Sequence, residues 1–368
     1  MKKVCILSMQ QIDNYGSVLQ AYCLKKIIES MNCTVSFIDI KKIEEDYKLQ
    51  NNKLLFNAEL ESKSRTHKFD RFILNRLYHQ LTDKKYRNTF SVFRNEKLNI
   101  GKNKDSHYDL CIIGSDEVFN CCNPGWWGFT SQLFGNVPEA DHVITYAASC
   151  GATKFSDLTD DIKNKIRSSF KRIEGISVRD ENTRFFVNEL VEKKNIIENL
   201  DPVLLYDFSE ELKRTSLVVS SKKKYCVIYS YTHRINNKEE YIPILNFCKS
   251  HGLIPIAVGG KQFWCKDYVI CSPFECLKIF QNSDYVITDT FHGTIFAAKY
   301  AKRYAVIIRE SNRNKLQDLA TRIHIEDHIV SNMGQIGDIY KLNHSKNRLF
   351  DLIANEELLA RQYLKEFI

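Results

Sequence analysis

Short apolar runs that end abruptly in polar residues recur along this chain, and between them apolar positions fall three and four residues apart. That is the pattern of buried strands alternating with amphipathic helices. Residues 2–9 form the first run; Gly16 marks a turn, and Leu19, Cys23, Leu24, Ile27 and Ile28 then line one helical stripe. Residues 34–40 form a second run, so the opening reads strand, helix, strand, a unit that builds a parallel sheet. Further strands are expected at 108–113, leading into Gly114-Ser115-Asp116, at 143–148 and at 174–178. A helix over 182–192 follows, with Phe185, Phe186, Leu190 and Val191 as its buried stripe.

After Leu200-Asp201-Pro202-Val203 and the lysine-rich stretch 220–224 the cycle starts again. Strands are expected at 225–229, 254–258, 285–288 and 305–308, and helices at 239–250, 273–281, 294–300 and 344–367. A chain of 368 residues exceeds the size one core usually serves. The pattern therefore predicts an α/β protein of two doubly wound, Rossmann-like domains facing a cleft, spanning 1–215 and 216–368, with the terminal helix packing back on the first. Ligands of such sheets lie beyond the carboxyl ends of the strands.

Composition removes some classes of function. The first apolar run is too short for a signal-peptide core, and no stretch approaches the roughly 18 apolar residues of a membrane span, so a cytoplasmic protein is expected. None of the twelve cysteines forms a C-x-x-C pair and Cys121-Cys122 are adjacent, which reads as small apolar fillers rather than a metal site or disulfide framework. The net charge of +8 is concentrated: residues 61–104 hold 12 Lys/Arg against 4 Asp/Glu, with Phe69, Phe72, Ile73, Leu77 and Leu81 at helical spacing. This basic helical segment is either a solvated face or a contact for anionic lipid or a lipid diphosphate, placing the protein at the inner face of the membrane. It comes without a recognisable nucleic-acid module, so no nucleic-acid partner is expected.

Polar residues at the strand ends supply the candidate chemistry. Asn14, Gly16 and Ser17 stand where a strand turns into a helix, a place suited to an anion or to simple capping. The segment lacks G-x-G-x-x-G and the Walker lysine, so neither a nicotinamide cofactor nor P-loop chemistry is supported. Ser115 and Asp116 follow a buried strand, where a carboxylate accepts a proton from an attacking hydroxyl or caps a helix. Asn120 comes next, then Trp126-Trp127, whose faces suit sugar stacking or ordinary burial. Asp289-Thr290-Phe291-His292-Gly293 is the strongest local signal, an imidazole at a strand-to-helix junction beside Thr290 and before Gly293. Gly259 and Gly260 mark another strand end. Arg179, Arg309 and Arg313 are either surface charges or guanidinium groups that hold carboxylate and phosphate bidentately.

In order along the chain, Asn14-Tyr15-Gly16-Ser17-Val18-Leu19-Gln20-Ala21, Ile113-Gly114-Ser115-Asp116-Glu117-Val118-Phe119-Asn120, Ser177-Val178-Arg179-Asp180, Asp201-Pro202-Val203-Leu204-Leu205 and residues 283–293 resemble the polysaccharide pyruvyl transferase family. The resemblance runs from Met1 to about Val330. It implies a GT-B-like fold, with the acceptor on the N-terminal side and the donor on the C-terminal side. It further implies phosphoenolpyruvate as donor, no cofactor or metal, and a pyruvate ketal on a sugar or lipid-linked oligosaccharide as product. On this similarity His292 and Arg179 contact the donor and Asp116 lies near the reacting hydroxyl. The chain departs from the family pattern at Thr290-Phe291, where a basic residue often precedes the histidine, and at Asn314-Lys315, where arginine is frequent, leaving Lys315 as the candidate cation. A nucleotide-sugar glycosyltransferase of the same architecture and a non-catalytic member of a polysaccharide-assembly complex are the competing readings.

Overall fold

The computed structural model describes residues 1–41, 43–51, 72–101, 107–122, 128–191, 195–220, 223–342 and 346–368. The first half runs β1 (Lys2–Leu7), α1 (Tyr15–Glu29), β2 (Cys33–Phe37), α2 (Glu44–Asn51), α3 (Phe72–Phe93), β3 (Tyr108–Asp116), β4 (Ala140–Ala148), α4 (Asp160–Phe170), β5 (Ile173–Val178), α5 (Glu181–Asn188), β6 (Ile196–Glu198), α6 (Pro202–Leu205) and α7 (Ser209–Arg214). The second runs β7 (Tyr225–Tyr229), α8 (Lys238–Ser250), β8 (Ile254–Val258), β9 (Asp267–Val269), α9 (Pro273–Asn282), β10 (Tyr285–Thr288), α10 (Phe291–Tyr300), β11 (Tyr304–Ile307), α11 (Arg313–Ile323), β12 (Ile329–Val330), α12 (Ile336–Lys341) and α13 (Lys346–Lys365).

Each half contains one six-stranded parallel sheet, ordered β2-β1-β3-β4-β5-β6 and β12-β11-β10-β7-β8-β9. The inner strands are apolar on both faces because helices cover both. Both sheets are doubly wound: the order reverses beside β1 in the first and beside β7 in the second. This is the arrangement of two doubly wound, Rossmann-like domains that the pattern predicts, and it agrees with the GT-B-like fold that the resemblance implies. A continuous apolar core joins the halves, with Val18 and Leu24 of α1, Leu204 of α6, Leu277 and Phe280 of α9 and Phe296 of α10 all buried within it.

Local chemistry fixes where the helices begin. Asn14 caps α1 by accepting from the Gly16 and Ser17 amides, and Ser272 with Glu275 forms a capping box ahead of Pro273 at the start of α9. Two expectations change. β3 extends through Gly114, Ser115 and Asp116 instead of stopping before them, since each of these residues still pairs or lies beside β4 within the buried sheet. Phe185 is 60% exposed, whereas Phe186 and Val187 are buried, because α5 is a short helix and turns Phe186 and Val187, not Phe185, toward β5.

α13 returns to the first sheet: Tyr363 donates its hydroxyl to the Thr145 carbonyl at 2.8 Å, and Phe367 packs where Gly175 has no side chain. Of the basic segment, Tyr86, Phe90 and Phe93 pack toward Tyr15, Tyr22 and Phe274, and Arg94 pairs with Asp13 at 2.6 Å. The expected stripe of Phe69, Phe72, Ile73, Leu77 and Leu81, and Trp126-Trp127, lie outside the described side chains. All twelve cysteines are unpaired thiols. Among the described residues no helix is long and apolar enough to cross a membrane.

Candidate functional site

The two reversal points of the sheets face each other, and a cavity of about 510 Å³ lies between them, where an open α/β sheet places its ligands. From the first half come Asn14 and Ser17 after β1, Asp116 and Glu117 at the end of β3, and Arg179 after β5. From the second come Ser230, Tyr231 and Thr232 after β7, Gly259 after β8, Thr290 and His292 after β10, and Lys315 of α11.

A circuit runs around the inner wall, and every link but the last is a polar contact. Ser17 donates to Asp116 Oδ2 at 2.9 Å; Arg179 Nη1 stands 3.4 Å from Asp116 Oδ1 and 3.0 Å from Asp201 Oδ2. His292 Nε2 lies 3.4 Å from that same Asp201 oxygen, an ion-pair distance without hydrogen-bond alignment. The Arg179 guanidinium rests on the Phe291 ring, 4.2 Å from its centroid. Burial disfavours the Arg179 cation, but Asp116 and Asp201 outweigh it and raise its proton affinity further. Burial likewise works against the Asp201 carboxylate, yet His292 and Arg179 hold it below the ordinary range.

The imidazole closes the circuit by lying directly on Gly16. A Cβ there would overlap the ring, 2.1 Å from Nδ1 and 2.2 Å from Cγ, and only 2.7 Å from the His292 Cβ. The root of the side chain is involved, so rotating the ring does not clear the clash. Gly16→Ala should therefore push the halves apart, costing about 1–3 kcal/mol of stability and lowering turnover. Urea unfolding and a turnover assay check this, and an alanine variant equal to the wild type in both would refute it.

Lys315 reaches from the second half to Glu117 of the first at 2.5 Å. Burial works to raise the Glu117 carboxyl, but Lys315, Arg179 and Asn120 outweigh it and hold the group at about 2, against an ordinary value of 4.5. An acid whose folded-state pKa is depressed stabilises fully above its unfolded value and loses that contribution as pH falls toward the folded one. Between about pH 6 and about pH 3 the urea midpoint should thus fall less in Glu117→Gln than in the wild type; an equal fall would exclude the pair from the acid response.

The other candidates stand around this circuit. Asn14 lines the cavity but spends its oxygen on the α1 amides, so capping and lining coincide. Thr290 lines it while capping α10 through the Gly293 amide at 3.0 Å; Gly293 itself leaves room for Thr288 and Tyr229. Ser115 lies behind the wall, donating to Gln20 at 2.9 Å, and Asn120 braces Glu117 at 2.7 Å. Gly260 lets its loop lie against the backbone of residues 230–232. Arg309 and Arg313 are placed outside the cavity lining: Arg309 binds Asp289 at 3.0 Å and also Glu240, and Arg313 binds Glu310 at 2.9 Å.

Sequence reasoning missed several groups. Asp201 stands in the sequence as part of the family-like segment Asp201-Pro202-Val203-Leu204-Leu205, which gives no hint of its link to Arg179 and His292. Tyr86, Arg87 and Asp83 reach the cavity from α3, and Tyr268 from β9; tertiary placement brings them there, beyond what strand-end reasoning sees. Ser230 to Thr232 line the cavity as well, following β7 directly as the strand-end rule requires.

Two doubly wound domains with a polar site across their cleft define a GT-B-like enzyme architecture. Within that class the chain belongs to the polysaccharide pyruvyl transferase family, whose model matches residues 14–312. It is accordingly a transferase of polysaccharide biosynthesis acting on a saccharide acceptor. No curated protein matches the chain. Among solved structures it is similar to a UDP-GlcNAc 2-epimerase from Methanocaldococcus jannaschii in complex with UDP-GlcNAc and UDP, at 13% identity and a TM-score of 0.50, covering 99% of this chain and 100% of that one. That similarity shows the fold. Trehalose-6-phosphate synthase OtsA (9% identity, 100% and 99% covered, TM-score 0.49) and spinosyn rhamnosyltransferase SpnG (9%, 100% and 99%, 0.44) are also similar.

Proposed function

We propose that the chain transfers the enolpyruvyl group of phosphoenolpyruvate to two hydroxyls of one sugar, giving a pyruvate ketal and phosphate. One observation carries this reading beyond family membership. Arg179 Nε, His292 Nε2 and Ser230 Oγ are buried polar atoms without a hydrogen-bond partner, and all three residues line the cavity. Such atoms are costly unless a ligand pairs with them, and a guanidinium, an imidazole and a hydroxyl suit a small molecule bearing carboxylate and phosphate.

In the proposed sequence His292 delivers a proton to the donor's methylene carbon, leaving an oxocarbenium-like C2. The first sugar hydroxyl adds to C2 and gives its proton to Asp116. The C2–O bond to phosphate then breaks; Asp116 returns the proton to the departing phosphate, whose charge Arg179 and Lys315 offset. The second hydroxyl adds to C2, closing the ketal, and its proton restores His292. Asp116 suits the basic role by position: it lines the cavity, and the Ser17 hydroxyl and Arg179 hold its two carboxylate oxygens in place.

The test is a thermal shift series with phosphoenolpyruvate, inorganic phosphate, UDP and UDP-sugars. A ligand at 100 times its dissociation constant adds roughly 2.7 kcal/mol. Stabilisation by phosphoenolpyruvate beyond that by phosphate supports the reading, whereas stabilisation by the nucleotides alone would replace it with a nucleotide-sugar transferase.

A further inference from the structure

Asp201 touches both groups assigned to the donor, one from each half of the molecule. Its Oδ2 receives Arg179 Nη1 at 3.0 Å and faces His292 Nε2 at 3.4 Å, while its Oδ1 accepts the Val203 amide at 3.0 Å as the N-cap of α6. The carboxylate is 1% exposed, so these contacts are unscreened by water. Nor is it free to wander. α6 is clamped at its far end by Lys299, which donates to the Val203, Leu204 and Tyr206 carbonyls and belongs to α10, the helix that carries His292. Asp201, α6, Lys299, α10 and His292 thus form a closed mechanical loop across the cleft.

We infer that Asp201 is a positioning residue, orienting the His292 ring and holding its proton on Nε2 while fixing the Arg179 guanidinium beside it. The physical reason is the acceptor oxygen facing Nε2. The opposite nitrogen, Nδ1, lies over Gly16, which has no side chain to accept a proton. An ionised oxygen facing Nε2 favours the ring forms that carry hydrogen there. The inference rests on the proposed reaction for its purpose, but its geometry does not depend on which donor binds.

Asp201→Asn separates positioning from packing. The amide has one acceptor oxygen in place of two. With that oxygen kept on the α6 N-cap, the amide nitrogen takes the place of Oδ2, where it faces Nε2, which then loses its hydrogen, and Arg179, which keeps Asp116 as its partner. The measurement is ¹⁵N NMR of histidine-labelled protein, with the His292 signal identified by its disappearance in His292→Gln. In the wild type Nε2 should carry hydrogen across neutral and mildly alkaline pH; in Asp201→Asn it should become the bare nitrogen in the greater part of the population, with loss of turnover. A bare Nε2 in the wild type, or unchanged signals in a folded Asp201→Asn, would overturn the inference. If Asp201→Asn does not fold, the wild-type signal alone decides. Failure of phosphoenolpyruvate to stabilise a wild type whose Nε2 behaves as expected would sink the donor assignment and leave the positioning role standing.

Discussion

Asp116→Asn is expected to lower turnover about 10²- to 10⁴-fold, the usual contribution of a group that moves a proton in the transition state, with the fold preserved. Asp116 has φ of +74°, in the left-handed region that asparagine enters readily, so the backbone accepts the change. The amide oxygen can still receive the Ser17 hydroxyl, and Arg179 keeps Asp201 as its partner. What disappears is the negative charge and the capacity to take a proton. Phosphate release from phosphoenolpyruvate with a saccharide acceptor, measured beside the urea midpoint, checks both halves of the prediction. A folded Asp116→Asn that turns over like the wild type would remove the residue from the chemistry.

The largest effect on stability is expected away from the reacting groups, at Lys299. Its ammonium is buried and donates to three carbonyls at 2.7–2.8 Å, and burial pushes it down to about 8. Lys299→Met keeps the length of the stem but strands those carbonyls. Each buried group left unpaired costs about 1–3 kcal/mol, partly offset because a poorly solvated charge is also removed. A net loss of about 3 kcal/mol in urea unfolding at neutral pH is the expected result. Lys302→Met, on an exposed side chain of the same region, should change stability by less than about 0.5 kcal/mol; equal effects from the two would deny Lys299 its clamping role.

How much of this is legible in the sequence depends on what each residue's role requires. Strands 225–229, 254–258 and 285–288 were bounded in the sequence as they are in the structure, because each is an unbroken apolar run between polar residues. β6, β9 and β12 escape the pattern: they span three, three and two residues, too short for periodicity to register, and all three are edge strands. Asp116, Arg179 and His292 could be named because a polar residue closing a buried strand has few places to go except the cleft. The same rule could not tell Lys315, which reaches the cavity, from Arg309, which turns to Asp289 and Glu240; side-chain direction is decided by partners distant in sequence. Asp201 and Tyr268 belong to that second kind as well. The motif order carried the family, since it depends on spacing along the chain alone.

The return of α13 to the first sheet bears on how ligands enter. The backbone passes between the halves twice, once between β6 and β7 and again along α13, whose near end reaches the Lys299 carbonyl of α10 through Lys346 and whose far end is held by Tyr363 and Phe367 against β4 and β5. Two plates fastened at two separate points keep one easy rotation, about the line through the fastenings, and lose the others. Any opening of the cleft is then confined to the swing of a hinged door about that line and lacks the free play of a ball joint.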